Sequence, residues 1–287
     1  MTSPHKTYGN ILKEHGLSLK KRLGQHFMLD PQLLDTIASI MIPGSSWVAF
    51  EIGAGIGTLT RALSKRARWV YAVEIDEDLK GAVAQTCQGL SNVTWIWGDA
   101  LKTDLSGRTL KETHLECSLV LCGNLPYYIT SEVLYTALVK RSSWTRMAFV
   151  VQEEVGERMV ASPGSRQFGR TSLWCQYRAK VTLVKKIPPG AFVPPPEVGS
   201  CLVVLDVYPS FPLTEAEEEL LDRISRVVFA QRRKTILKSL LDLVPEKDVL
   251  YRTITENQLD PRKRPEALTV DEFISLTRAL SKLSCAI

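Results

Sequence analysis

Trp47-Val48-Ala49-Phe50-Glu51-Ile52-Gly53-Ala54-Gly55-Ile56-Gly57 is the stretch whose reading decides the fold. Its first six residues, apolar except for Glu51, predict a buried strand, and the glycines that follow predict a tight turn into a helix. A backbone without Cβ can turn sharply and approach a ligand closely. A turn of this kind also serves plain strand–helix packing, so the surrounding sequence has to decide between the two.

Outward from Trp47 the chain alternates short apolar runs with helix-like stretches, the pattern of a parallel sheet covered by helices on both faces. Strands are predicted at 47–52, 69–75, 93–97, 118–122 and 147–152, each rich in β-branched or aromatic residues. Helices are predicted at 58–66, 78–87, 131–140 and 153–160, giving five βα units. Two further strands, 180–187 and 201–208, are joined by the proline-rich 188–199 with no helical crossover, which predicts antiparallel pairing. From Pro209 onward only helical spacing recurs, at 213–241 and 270–283. The expected organisation is therefore a basic N-terminal arm over 1–30, an α/β domain over 31–209 and a small all-helical C-terminal domain over 210–287.

Composition bounds the function classes. The 287 residues are 45% hydrophobic, enough for a sizeable core, and no apolar run approaches the roughly 20 residues that span a bilayer. The N-terminal ten residues are polar, unlike a secretory leader, so the expected compartment is the cytoplasm. Six cysteines form no C-x-x-C pair and the four histidines are scattered, so neither a disulfide framework nor a metal centre is expected. A net charge of +5 does not by itself identify a nucleic-acid binder. Its clustering is more informative: Lys20-Lys21-Arg22, Arg232-Arg233-Lys234 and Arg262-Lys263-Arg264 are compact cation groups suited to phosphate contacts, or else three solvated patches.

Four residues fall at the ends of the first four strands: Gly53 in the G-x-G-x-G turn with Gly55, Glu74, Asp99 in Gly98-Asp99-Ala100, and Asn124. In a doubly wound sheet those ends border one crevice, at the switch point between the first and fourth strands. A carboxylate at Glu74 suits the two hydroxyls of a ribose, which NAD and S-adenosyl-L-methionine share; one at Asp99 suits an adenine amino group or, equally, a helix cap. Asn124-Leu125-Pro126-Tyr127 adds a side-chain acceptor, a backbone carbonyl beside the proline and an aromatic face. That set fits the two N–H donors of an exocyclic adenine amine, with Tyr127 stacking on a base drawn out of its helix and Tyr128 filling core.

With these residues in hand, the chain resembles the KsgA-type small-subunit rRNA adenine N6,N6-dimethyltransferases along nearly its whole length. The shared stretches are Leu23 to Phe27, Glu51 to Gly57, Glu74-Ile75-Asp76, Gly98-Asp99-Ala100, Asn124 to Tyr127, Ala191 to Pro196 and Gln231 to Thr235. The resemblance implies a Rossmann-like class I methyltransferase sheet, five parallel units plus an antiparallel pair, with a small helical C-terminal domain. It implies S-adenosyl-L-methionine as cofactor, contacted at His26, Met28, Gly53, Gly55, Glu74, Asp99 and Asn124, with Tyr127 and Phe192 flanking the target base beside Leu125 and Pro126. His26 and Met28 stand where many members carry Asn and Leu. The implied substrate is 16S rRNA within the small subunit, two adjacent adenosines near its 3′ end, bound through Lys20, Lys21, Arg22, Arg232, Arg233 and Lys234 by a monomer. An Erm-type large-subunit dimethylase shares the fold and chemistry; an assembly factor that mainly binds, and a nicotinamide oxidoreductase, are the readings outside that class.

Overall fold

The computed structural model describes residues 8, 10, 11, 13–16, 24–139 and 142–284. Lys20, Lys21, Arg22 and Leu23 lie outside the described residues, as do Lys140 and Cys285. The packing divides the chain into two units, residues 1–156 with 181–207 and residues 157–180 with 208–287.

The first unit is built on β1 (Phe27–Met28), β2 (Trp47–Ile52), β3 (Trp69–Glu74), β4 (Val93–Trp97), β5 (Ser118–Asn124), β6 (Arg146–Gln152), β7 (Ala179–Ile187), β8 (Phe192–Val193) and β9 (Ser200–Val207). Seven of these form one sheet in the order β4-β3-β2-β5-β6-β9-β7, and β1 pairs with β8 separately. β4, β3, β2, β5 and β6 run parallel, β9 lies antiparallel to β6 from Arg146↔Asp206 to Gln152↔Ser200, and β7, the strand expected to pair with β9, is its other neighbour in the sheet. β2, β5 and β6 are buried along nearly their whole length because helices cover both faces, which is why they read as continuous apolar runs.

Strand order reverses at β2. β3 and β4 build to one side and β5 and β6 to the other, so β2 and β5 part at their carboxyl ends. Gly123 lets these two strands lie close: its φ is +151°, and a Cβ there would sit 2.3 Å from the Ile52 carbonyl oxygen. Under the sheet, α1 (Pro31–Met41) begins with Asp30 accepting the Gln32 amide at 2.9 Å and Pro31 in the first turn. It buries Leu34, Ile37, Ala38 and Met41, spaced three and four apart, against Ala62, Leu63, Val120 and Val204. α2 (Thr58–Ser64), α3 (Lys80–Thr86), α4 (Arg108–Thr113), α5 (Thr130–Val139) and α6 (Glu153–Met159) complete the crossovers.

The second unit is helical: α7 (Arg170–Arg178), α8 (Glu215–Ala230), α9 (Ile236–Leu240), α10 (Lys247–Glu256) and α11 (Val270–Ser284). α8 starts in a capping box, Thr214 and Glu217 each holding the other's backbone amide. Arg178 and Glu218 form a forked pair at 2.8 and 3.0 Å with 3% and 6% of their side chains exposed, and the Tyr177 hydroxyl donates to the same carboxylate. The helical spacing read over 213–241 is interrupted: α8 ends at Ala230, and Gln231 to Lys234 form a turn before Thr235 caps α9. The Arg232-Arg233-Lys234 run thus sits in an interhelical turn, not on a helix. That turn is set by tertiary bonds, the Arg232 Nη2 donating to the carbonyls of Arg166 and Phe168 at 2.7 Å each.

Candidate active site

The carboxyl ends of β2 to β5 border one cavity, walled on the remaining side by residues 24–28. Gly53, Gly55, Glu74, Asp99, Asn124, Pro126, His26 and Met28, each singled out from the sequence, all line it. So do Gln25, Glu51 and Tyr128.

The glycine turn is left-handed at Gly53 (φ +72°) and Gly55 (φ +58°), a conformation that costs other residues about 1–2 kcal/mol. The space matters too, since a Cβ on Gly55 would stand 2.7 Å from the Phe27 ring. Glu74 organises this turn. Its Oε2 accepts the Gly55 amide at 2.7 Å and its Oε1 the Asp76 amide at 2.9 Å, leaving one further lone pair on each oxygen for ligand hydroxyls. Burial raises the Glu74 pKa, and those two amides oppose the rise.

Glu51 is the more extreme carboxyl. It is 1% exposed, its Oε2 accepts the Thr60 hydroxyl at 2.6 Å, and burial pushes its pKa up to about 8 against the Thr60 bond, with Glu74 nearby adding to the rise. At neutral pH it is therefore mainly protonated. Asp99 plays both roles read for it: its Oδ1 caps the following turn by accepting the Leu101 amide at 3.0 Å, while the side chain also lines the cavity.

In the Asn-Leu-Pro-Tyr turn the two backbone carbonyls are not equivalent. The Pro126 carbonyl already accepts the Ile129 amide and the Thr130 hydroxyl, both at 3.1 Å, whereas no donor among the described residues reaches the Leu125 carbonyl. Asn124 Nδ2 donates to the His26 carbonyl at 2.9 Å, which leaves Oδ1 as the unengaged atom of the amide. Tyr127 is half-buried, stacks on the His26 ring at 5.7 Å between centroids, and its hydroxyl lies 3.3 Å from Ser200 Oγ. His26 Nδ1 donates to the Pro194 carbonyl at 2.8 Å, so its ring serves the protein's own packing.

Two aromatic readings change. Tyr128, expected to fill core, is 54% exposed and lines the cavity mouth, because Ile129 and Thr130 bend back onto Pro126 and turn the side chain outward. Phe192, expected beside the base, is 2% exposed and packed in the sheet core, in register with Met28 across the β1–β8 pair. The structure does not bring it to the cavity wall.

The cavity suits an adenosine-bearing cofactor on its own chemistry: glycine turns without Cβ atoms, a buried carboxylate on β3, a second carboxylate after β4 and apolar walls from Phe27, Met28 and Ile75. In the helical unit, Arg166, Arg232, Arg233 and Arg264 line a surface depression together with Glu266. Arg233, Lys234, Arg166 and Arg264 are exposed, whereas Arg232 is partly spent on the carbonyls it binds. Sequence order hides the contribution of Arg166, an isolated cation in a loop. Lys263 is taken by Glu272 at 2.5 Å. Among the described residues no helix is long and apolar enough to cross a membrane, and no group of His, Cys, Asp and Glu is placed to hold a metal.

Comparison with known proteins agrees with this geometry. A family model described as "Ribosomal RNA adenine dimethylase" matches residues 16–282. Two proteins called "Ribosomal RNA small subunit methyltransferase A", from Bacillus mycoides (strain KBAB4) and Bacillus cereus (strain AH187), are 37% and 36% identical over 284 residues, covering 98% of this chain and 97% of theirs. Among solved structures, a dimethyladenosine transferase from Plasmodium falciparum is similar with a TM-score of 0.73 and 25% identity, over 90% of this chain and 98% of that one. The 23S rRNA methyltransferase ErmE, at 21% identity and a TM-score of 0.65 over 89% of this chain and 99% of its own, shares the fold.

Proposed function

Because the chain belongs to the ribosomal RNA adenine dimethylase family, we propose that it dimethylates the N6 amines of two adjacent adenosines near the 3′ end of small-subunit (16S) rRNA. It uses S-adenosyl-L-methionine and acts on an immature small subunit in the cytoplasm. The observation that carries the reading is the convergence on one cavity of a glycine turn bound to Glu74, the Asp99 carboxylate and the Asn124 amide, whose Oδ1 is unengaged.

Bound S-adenosyl-L-methionine supplies an electrophilic methyl group. Glu74 holds the ribose hydroxyls with its remaining lone pairs, and Asp99 accepts from the adenine amino group of the cofactor. Asn124 Oδ1 and the Leu125 carbonyl accept the two N–H groups of the substrate amine. The Leu125 carbonyl is preferred to that of Pro126, which already accepts the Ile129 amide and the Thr130 hydroxyl. Two acceptors set at an angle favour a pyramidal nitrogen and so recover a lone pair otherwise delocalised into the ring. Positioning and preorganised dipoles then supply the rate, and the alkylated nitrogen loses its proton to water without a protein base. Tyr127 offers the flat face on which an unstacked base rests. Arg233 and Lys234, with Arg166 and Arg264 beside them, contact rRNA phosphates, and Arg232 holds their turn in shape.

The test uses labelled S-adenosyl-L-methionine with small subunits lacking the modification and, in parallel, protein-free large-subunit rRNA, the product being located by mass spectrometry. Adjacent dimethyladenosines in the small subunit alone are expected; label confined to large-subunit RNA would refute the substrate. Asn124→Ala should lower kcat by about 10²–10³ while the cofactor still binds, the usual cost of one preorganised polar group at the reacting centre.

A further inference from the structure

The amide of Asn124 is symmetrical in shape, so something outside it must decide which of its two faces meets the substrate. Its Nδ2 lies 2.9 Å from the carbonyl oxygen of His26. A carbonyl can only accept, so the NH2 group must face it and Oδ1 must face away. No donor among the described residues competes for Oδ1, and Asn124 lines the cavity. The two ends of the amide thus differ in role: one is tied down and the other is presented.

The His26 carbonyl is itself held from several sides. Gln25 Nε2 donates to Asp76 Oδ2 at 2.7 Å, and the His26 ring donates to the Pro194 carbonyl at 2.8 Å. Phe27 and Met28 pair with Val193 and Phe192, and the Phe27 ring occupies the space that a Cβ on Gly55 would fill. The segment is therefore fixed by contacts with β8, the β3 end and the glycine turn.

We propose that the His26 main-chain carbonyl sets the orientation of the Asn124 amide, which makes the segment Gly24 to Met28 a positioning element of methyl transfer as well as a wall of the cofactor cavity. This rests on the reading of Asn124 as the amine acceptor. A side chain that merely accepts would work as well, or better, as a carboxylate; one that must also donate to His26 would not.

Asn124→Asp separates the two. Ionised, the introduced carboxylate has no donor and meets the His26 carbonyl acceptor to acceptor. Protonated, the same group donates its O–H to that carbonyl, and its other oxygen stands where Oδ1 stood. The titratable groups that line the same cavity are Glu51, Glu74, Asp99, the His26 ring and Tyr128, and Tyr127 stacks on that ring. The quantity to measure is the ratio of the variant's kcat to that of the wild type, from pH 8.5 to 5.5, on small subunits, which cancels any pH dependence the two proteins share. Cofactor affinity and melting temperature are recorded at each pH to establish folding.

The ratio should climb by up to tenfold for each pH unit lowered, until the carboxyl is fully protonated, while Asn124→Ala, with nothing to titrate there, gives a low and flat ratio. A low, flat ratio for Asn124→Asp, or one near unity throughout, would overturn the inference and leave Asn124 as an acceptor alone. An Asn124→Ala variant as active as the wild type would remove the acceptor reading itself.

Discussion

Glu51→Gln isolates the energetic consequence of a carboxyl buried beside the cavity. In the unfolded chain Glu51 titrates near the ordinary value of 4.5, and in the folded protein burial moves it to about 8. Between those values the folded state holds one proton more than the unfolded state, so stability falls as pH rises. The contribution is fully present below about pH 4.5 and is lost by the time pH has passed 8. At about 1.4 kcal/mol per pH unit the whole interval amounts to about 5 kcal/mol, and the span from pH 6 to pH 8 to about 2 kcal/mol, because the curve flattens on reaching the folded pKa. Glutamine keeps an oxygen for the Thr60 hydroxyl and carries no proton to lose. Urea titrations of both proteins at pH 6, 7 and 8 should therefore show the wild type losing about 2 kcal/mol relative to the variant over that range. Glu74, also raised by burial, is common to both proteins and cancels from the comparison. A stability difference that stays constant from pH 6 to pH 8 would refute the assignment of a neutral, buried Glu51.

Three further outcomes follow from the geometry. Gly55→Ala combines a left-handed φ with a Cβ 2.7 Å from the Phe27 ring, so calorimetry should show cofactor affinity reduced by at least about tenfold, consistent with about 1–3 kcal/mol of overpacking. Arg178→Ala leaves Glu218 buried without its fork and should cost about 3–5 kcal/mol in thermal or urea unfolding, while the sheet unit's cofactor site keeps its residues intact. Arg233→Ala and Lys234→Ala should each weaken binding to small subunits and reduce the slope of log affinity against log salt by about 1, with cofactor affinity unchanged; an unaltered slope would remove that surface from the RNA interface.

How much of this was legible in the sequence depended on whether a residue's neighbours in sequence or its neighbours in space decide its state. β2, β5 and β6 are sandwiched between helices, so burial on both faces leaves a run of apolar letters that needs no partner to be read. Gly53, Glu74, Asp99 and Asn124 were legible as a set, because the ends of consecutive parallel strands converge whatever the details of packing. The β1–β8 pair was not: each strand is two residues long, and its existence depends on a partner far away in the chain. α7 was missed because its sequence, from Arg170 to Arg178, buries Ser172 and Arg178 beside Leu173 and Trp174, a mixture that only tertiary partners such as Glu218 make sense of. The turn at Gln231 to Lys234 contains neither glycine nor proline, so periodicity runs through it, and what stops the helix is the pull of two distant carbonyls on Arg232. Tyr127 and Tyr128 are adjacent and chemically identical; their different exposures follow from the bonds Ile129 and Thr130 make to Pro126. Glu51 carried a faint signal, a lone carboxylate in an otherwise apolar strand directly before the glycine turn.

The pairing of Phe27 and Met28 with Val193 and Phe192 also bears on the order in which a newly made chain becomes competent. Translation delivers the segment Gly24 to Met28 before any strand of the main sheet, and its partners only after β6 and β7 have emerged. The glycine turn, Glu74, Asp99 and Asn124 are all synthesised in between. A chain released before Val193 has therefore made every strand end that borders the cavity and still lacks the ladder that fixes its last wall. Capture of the cofactor in its final geometry is thus a late event in the life of the nascent protein, and ligand-induced resistance to proteolysis should first appear in truncated chains that extend beyond Pro194.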